Sequence, residues 1–275
     1  MPRFSPQFAR FRWTPGRTGR DTAPPPDISR AAALDYFNSQ IAGAVEGWLG
    51  DRMWQVIDMI GEIFDERQID GHIVEFGVHH GLFLFLLTVL RRNDEKCVAV
   101  DVFDQQDLNI DKSGNGSLAI FKSHLDNLIG PYKQYFQIVQ RDTLSLDIGE
   151  LNGLLGGRRA KCVSIDAGHT VHHVFSDLLL AQDVLQAGGI VAVDDFMSVH
   201  WPGVTEGFYR FMSTANRRLK PFLYFQNKLF LTTISEHATF VEMLQAKIEE
   251  RYPDEVRYVR WKPVELAGER CIAFA

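Results

Sequence analysis

The run Ile73-Val74-Glu75-Phe76-Gly77-Val78-His79-His80-Gly81 constrains this chain more than any other stretch. Residues 72 to 76 have strand character, and Leu82-Phe83-Leu84-Phe85-Leu86-Leu87 continues as a hydrophobic helix able to pack on a sheet. Between strand and helix stand two glycines four residues apart. Glycine serves where a backbone must take positive φ or come close to a ligand, and a helix start there offers unpaired N–H groups to a carboxylate or phosphate. The fragment alone reads equally as an ordinary strand-to-helix turn, so the rest of the chain must decide.

The same pattern recurs downstream. Cys97-Val98-Ala99-Val100-Asp101 is a second buried strand ending in an acid, followed by a long polar connection over 102–116. Such length inside a compact domain points to function or mobility. Next come a helix over 117–129, a strand over 135–140, a short helical segment over 144–155, and the strand Lys161-Cys162-Val163-Ser164-Ile165-Asp166. A helix near 172–186 leads to Gly188-Gly189-Ile190-Val191-Ala192-Val193-Asp194-Asp195. Five strands alternating with helices imply a parallel sheet with helices on both faces, whose ligand sites lie beyond the carboxyl ends of the strands. Pro202 fits the first turn of another helix, and Phe222–Gln226 with Lys228–Thr233 flank Asn227 as a tight antiparallel hairpin. A helix over 236–251 and short strands over 256–261 and 270–274 complete the chain.

Ahead of this core, residues 1–28 carry Arg3, Arg10, Arg12, Arg17 and Arg20 with Pro24-Pro25-Pro26, and read as a flexible basic tail. An organelle transit peptide has a similar composition. Residues 29–70 read as two cap helices, the first capped by Ser29 and running through Leu34, Phe37 and Ile41, the second through Trp54, Ile57, Ile60 and Phe64. The core spans 71–235, with 236–275 as a helix-and-strand extension.

A net charge of −6 gives no electrostatic footprint for nucleic acid. No run of about 18 apolar residues is present, and the N-terminus lacks the hydrophobic region of a secretory signal, so a soluble, cytoplasmic protein is expected. Cys97, Cys162 and Cys271 each sit in an apolar strand-like run without the spacing of zinc sites or disulfide frameworks, and are expected as small buried side chains.

Acids gather where such a fold places its ligands. Glu75, Asp101, Asp166, Asp194 and Asp195 all stand at or just past the carboxyl end of an expected parallel strand. Crowded carboxylates raise one another's pKa unless a cation or donor offsets them, so this rim favours a binding site over a solvated edge.

Taken with the strand order, the chain resembles the class I methyltransferases that bind S-adenosylmethionine. The resemblance implies an α/β, Rossmann-like fold with a mostly parallel seven-stranded sheet, helices on both faces and an antiparallel hairpin at the C-terminal end. It implies cofactor contacts from Glu75, Gly77 and Gly81 at the first turn, from Asp101 to the ribose hydroxyls, and from Asp142 near the adenine; Asp142 reads equally as a helix cap. His79 stands where the family's pattern has its middle glycine.

Asp166-Ala167-Gly168-His169, followed by Asp177, Gly188-Gly189 and Asp194-Asp195, is similar to the metal-dependent sugar O-methyltransferases of the macrocin O-methyltransferase type, over roughly residues 70–235. That similarity implies Mg²⁺ or a similar divalent cation held by Asp166, Asp194 and Asp195, with Asp166 also bordering the cofactor and His169 as base. Asp194 is shorter than the glutamate often found at its position there. Relatives of this fold often associate, so a homo-oligomer is one expectation.

The chemistry is coherent without the name. Hard oxygen ligands suit Mg²⁺, which keeps positions open for substrate oxygens. Coordination lowers the pKa of a hydroxyl, and a histidine can take its proton as the oxygen attacks a sulfonium methyl group in line. His169 also reads as a capping histidine before the helix, and His172 and His173 are expected to be exposed. His200 and Trp201, straight after the acid pair, overhang the site and either touch the acceptor or pack as a helix-start staple. Asn227-Lys228 reads as a turn, although the resemblance makes it a recurrent element.

The expected function is methyl transfer to a hydroxyl of a small molecule, a sugar or other natural product. Its rivals are a metal-independent methyltransferase and a non-catalytic scaffold of the same fold. A nicotinamide oxidoreductase would want Gly-x-Gly-x-x-Gly, which residues 77–81 do not supply.

Overall fold

The computed structural model of the chain describes residues 28–253 and 261–274. The expected basic tail, Ile28 apart, and residues 256–260 of the penultimate expected strand lie outside the described residues.

Strands β1 (His72–Phe76), β2 (Cys97–Asp101), β3 (Phe136–Gln140), β4 (Ala160–Ile165) and β5 (Leu185–Val193) run parallel. Strand β7 (Lys228–Thr233) pairs antiparallel with β5 and with β6 (Leu219–Phe225), forming the hairpin around Asn227. Strands β8 (Trp261–Leu266) and β9 (Glu269–Phe274) extend the expected seven, giving one nine-stranded sheet in the order β3-β2-β1-β4-β5-β7-β6-β9-β8. The central strands β1 and β4 are buried throughout, as a parallel sheet covered on both faces requires.

Alternation along each strand divides the core in two. Ile73, Cys97, Ala99, Cys162, Ile190 and Ala192 point to one face, where α1 (Arg30–Tyr36), α2 (Met53–Glu66), α3 (Leu82–Leu87), α4 (Leu118–His124) and α8 (His237–Arg251) cover them. Val74, Val98, Val100, Val163, Val191 and Val193 point to the other, beneath α5 (Ile148–Leu155), α6 (Val171–Val184) and α7 (Pro202–Met212). All three cysteines are buried and free, as expected from their apolar runs.

The helix starts follow their local chemistry. Ser29 accepts from the Ala32 amide to cap α1, and Asp147 with Glu150 forms a capping box on α5. Phe85 of α3 stacks on Phe121 of α4, which stacks on Phe103 just past β2, at centroid distances of 5.8 and 5.6 Å. This ladder seats the start of the 102–116 connection on the core, and truncating Phe121 to alanine would cost about 3–5 kcal/mol. Among the described residues no helix is long and apolar enough to cross a membrane.

Candidate active site

The turn after β1 is dictated by how closely β4 approaches it. The Asp166 amide donates to the Phe76 carbonyl at 2.7 Å, and Gly77 takes φ +82°. A Cβ at Gly77 would lie 1.9 Å from the Asp166 carbonyl oxygen, so only glycine fits. His79, in place of a second turn glycine, still takes φ +52°. That left-handed conformation is costly for a side chain of its size and persists only where the surroundings impose it.

What imposes it is Asp101. Its Oδ2 accepts from the amides of Val78 at 2.6 Å and His79 at 2.7 Å, and its Oδ1 accepts from the Phe103 amide at 2.5 Å. Oδ2 of the residue assigned to the ribose thus already holds the turn with both of its lone pairs, while Oδ1, which holds the start of the next connection, keeps one lone pair for another donor. Glu75 lies beneath, 2 % exposed, on the α3 side of β1. Burial, reinforced by the Asp166 carboxylate, raises its pKa well above the usual carboxylate range. Its Oε2 has no hydrogen-bond partner among the described residues. A buried polar atom left in this state calls for a donor from water or a ligand. A glycine turn too tight for a Cβ, with an orphaned carboxyl oxygen below it, fits the amino-acid end of S-adenosylmethionine.

At the ends of β4 and β5 the expected convergence occurs in modified form. Single ligand atoms of Asp166, His169 and Asp195 all lie within 4.8 Å of one another. His169 Nε2 is 3.1 Å from Asp195 Oδ2 and 3.6 Å from Asp166 Oδ1. Asp195 is held there at φ +54°, a second strained non-glycine residue at this rim. Two carboxylates and an imidazole in such proximity fit a divalent cation.

Asp194, expected beside them as a ligand, turns instead to the hairpin. Its Oδ1 accepts from Asn227 Nδ2 at 2.7 Å and from the Asp195 amide at 2.8 Å, and its Oδ2 is paired with Lys228 Nζ. Burial opposes the charge of Asp194, but the lysine overrides it and holds the pKa below the usual range. Lys228 is itself 1 % exposed, with its ammonium 4.3 Å from the Phe83 ring centroid. The cation that offsets the crowded acids is therefore partly built into the chain, and a residue read as a hairpin turn supplies it.

The remaining charges respond to one another. Burial, then the neighbouring Asp194, pushes Asp166 up to about 8. Burial works against an imidazolium at His169, yet Asp111, Asp166 and Asp195 outweigh it and push it up to about 11. The Asp111 contact is close: Oδ2 lies 2.9 Å from His169 Nδ1 and accepts from the His169 amide at 2.6 Å. Asp111 comes from the long 102–116 connection. Burial works against its charge too, but the His169 and Ser113 donors hold it well below the usual carboxylate range. Trp201 stacks on the His169 ring at a centroid distance of 4.4 Å, while His200 is exposed.

Asp142 is apart from this group. It caps the turn that follows β3, accepting from the Leu144 amide at 3.0 Å, and lies 3.3 Å from His173 Nε2. His172 is exposed as expected, but His173 is not: it is 4 % exposed, with Thr170 Oγ1 2.7 Å from its Nδ1. His173 faces inward from α6 toward the β3 turn, where Asp142 and Thr170 satisfy its ring.

Asp111 is a site residue that the sequence did not single out, and Lys228 reads in sequence as part of a turn that the resemblance makes a recurrent element. The unusual length of the 102–116 connection was the only pointer to Asp111. The dipeptide Asn227-Lys228, with the lysine directly ahead of the apolar run Leu229-Phe230-Leu231, was the pointer to Lys228.

Comparison with known proteins agrees with this architecture. A family model described as a methyltransferase domain matches residues 74–196. The chain is similar in fold to the O-methyltransferase NovP, with a TM-score of 0.53 and 12 % identity over 74 % of this chain and 99 % of that one. It is also similar to apo CalS11, a TDP-rhamnose 3'-O-methyltransferase of calicheamicin biosynthesis, with a TM-score of 0.50 and 16 % identity over 74 % and 93 % of the two chains. No curated protein matches the sequence.

Proposed function

We propose that this chain, a class I S-adenosylmethionine-dependent methyltransferase, transfers the methyl group to a hydroxyl of a small molecule with the help of a divalent cation, Mg²⁺ or a close equivalent. The observation that carries the reading is the meeting of Asp166, His169 and Asp195 at the carboxyl ends of β4 and β5, next to the Gly77 turn. The two similar solved structures described above are both O-methyltransferases, and one acts on a nucleotide-linked sugar. A sugar or other polyhydroxyl natural product is the acceptor class in keeping with them.

The residues divide the work. Glu75 would offer its free oxygen to the cationic amino group of the methionine portion, and Asp101, while bracing the turn, keeps one lone pair on Oδ1 for a ribose hydroxyl. Asp166 and Asp195 would hold the cation, whose chemistry there would be to lower the pKa of the acceptor hydroxyl and fix its orientation. A cation on Asp166 and Asp195 would offset the carboxylates that otherwise favour an imidazolium, so that a neutral His169 would take the hydroxyl proton at Nε2 as the oxygen forms its bond to the methyl carbon. Bound S-adenosylmethionine would supply an activated methyl group whose carbon–sulfur electron pair leaves on sulfur, so the products would be S-adenosylhomocysteine, the methyl ether and a protonated His169. Holding oxygen, carbon and sulfur in line supplies much of the remaining rate. Asp194 and Lys228 keep the floor of the site neutral. The buried ammonium of Lys228 also favours a second reading, in which it replaces the metal ion as the local cation.

The test is methyl transfer from labelled S-adenosylmethionine to a panel of nucleotide sugars, free glycosides and phenols, with Mg²⁺ and with chelator. The reading expects ether products that vanish with chelator and return with Mg²⁺. It also expects Asp195→Ala to lose at least about 100-fold in kcat, within the range for removing a group that acts in the transition state, with cofactor affinity nearly intact. Chelator-resistant turnover would establish the metal-free reading instead. Full activity in Asp195→Ala would rule out the metal mechanism.

A further inference from the structure

We propose that Asp111 is a positioning residue for the transfer reaction, fixing the imidazole of His169 from the side opposite the reacting atoms. The inference rests on the methyl-transfer reading above, in which His169 Nε2 receives the acceptor proton.

The geometry is a grip on one residue at two points. Asp111 Oδ2 accepts from the main-chain N–H of His169 at 2.6 Å and lies 2.9 Å from its Nδ1. Asp111 Oδ1 accepts from the Ser113 amide at 2.9 Å and from Ser113 Oγ at 2.6 Å. With four donors around two oxygens the carboxylate cannot turn without losing bonds on both sides. Its side chain is 10 % exposed and that of His169 9 % exposed, so water does not readily substitute for either partner.

The consequence falls on the other ring nitrogen. A ring flip or rotation about the histidine side chain would break the Nδ1 contact, so Nε2 stays 3.1 Å from Asp195 and 3.6 Å from Asp166. A neutral imidazole that donates Nδ1–H to a carboxylate presents a bare Nε2, the form a base needs. The same segment reaches the cofactor turn: a Cβ at Gly116 would lie 3.3 Å from His79 Cα and 3.5 Å from Asp101 Oδ1. One connection thus touches both halves of the site, and Asp111 is where it meets the base. A residue that merely anchored this connection would affect cofactor binding as well as turnover, and would leave the histidine ring indifferent to its chemistry.

Histidine-selective ¹⁵N labelling of the full chain, with His169→Gln to assign the ring, separates these roles. In the wild-type protein with Mg²⁺ added, the His169 Nδ1–H proton should be visible and protected from solvent exchange. Asp111→Ala should lose that protected proton and about 10–100-fold in kcat, the usual range for the partner of a site histidine, with KM for the cofactor changed less than about twofold. Asp111→Asn, which keeps an acceptor oxygen but no charge and guards against a folding failure of the alanine variant, should retain the proton and fall between the two in kcat. An unchanged Nδ1–H signal in Asp111→Ala would overturn the proposal, as would a loss confined to cofactor KM. Absence of methyl transfer by the wild-type enzyme would sink the functional reading alone, because the ring signals still decide what Asp111 does to His169.

Discussion

Trp201 lies almost flat on the imidazole of His169, with ring centroids 4.4 Å apart and planes inclined by 23°. Asp111 holds the ring at one edge, and the indole closes one of its faces. Trp201 comes from the segment between Asp195 and α7, so the loops after β4 and β5 are locked together through this stack. In sequence Trp201 reads as an acceptor contact or a helix-start staple; the fold instead stacks it on the His169 ring.

Removing the indole frees the His169 ring on one side without touching a carboxylate. Trp201→Ala should lower kcat about 10-fold through loss of alignment, while Trp201→Phe, which restores a flat ring, should recover most of it. Calorimetric titration with Mg²⁺ should give the same affinity in all three proteins. A fall in metal affinity that tracks the fall in kcat would place Trp201 in ion binding instead.

Lys228 and Asp194 form a buried ion pair at the floor of the site, 1 % and 7 % exposed. Lys228→Met leaves the aspartate without its cation and should cost about 3–5 kcal/mol of stability, the range for breaking one side of a buried pair. Adding Asp194→Asn to that variant should recover much of the loss, because no uncompensated charge remains. Urea denaturation of the single and double variants reads this directly, and equal stabilities of the two would contradict it.

Asp177 supplies a pH dependence away from the reacting groups. It is fully buried on α6, and burial, with Asp142 adding to it, pushes its pKa up to about 8. The folded protein therefore keeps a proton that the unfolded chain, with an ordinary carboxyl, gives up above about pH 4. Stability contributed by this group falls as pH rises from there to about 8. Asp177→Asn needs no such proton, so its advantage over the wild type should grow across that window by several kcal/mol, at about 1.4 kcal/mol per pH unit. Urea midpoints at pH 5 and pH 8 test it, and an advantage that shrinks with pH would show the carboxyl to be charged in the folded state.

The parts of the fold that follow from period and punctuation were legible in the sequence. Alternating apolar runs placed β1 to β5, Pro202 opened α7, and Asn227 marked the hairpin between β6 and β7. The acids at strand ends were legible too, because strand direction alone brings their backbones to one rim. Which way each carboxylate turns was not. Asp194 and Asp195 are adjacent, yet the first faces Lys228 and the second faces His169, a choice made by the positive φ of Asp195 and by the hairpin across the sheet. Asp111 was hidden for a related reason: an irregular connection carries no periodicity, so nothing in 102–116 says which residue reaches 58 positions along the chain to His169. The burial of His173 likewise depends on where the β3 turn lies relative to α6, a tertiary fact.

The proposed mechanism requires Asp166 and Asp195 to grasp one cation together. Crystals soaked with Mn²⁺ and S-adenosylhomocysteine, measured at a wavelength where manganese scatters anomalously, locate the ion without reference to activity. The expected result is a single strong peak within about 2.0–2.3 Å of one oxygen from each aspartate, near the ideal for a small hard cation, with His169 Nε2 facing the open side. A peak elsewhere on the chain, or none in crystals that bind the nucleoside, would contradict it.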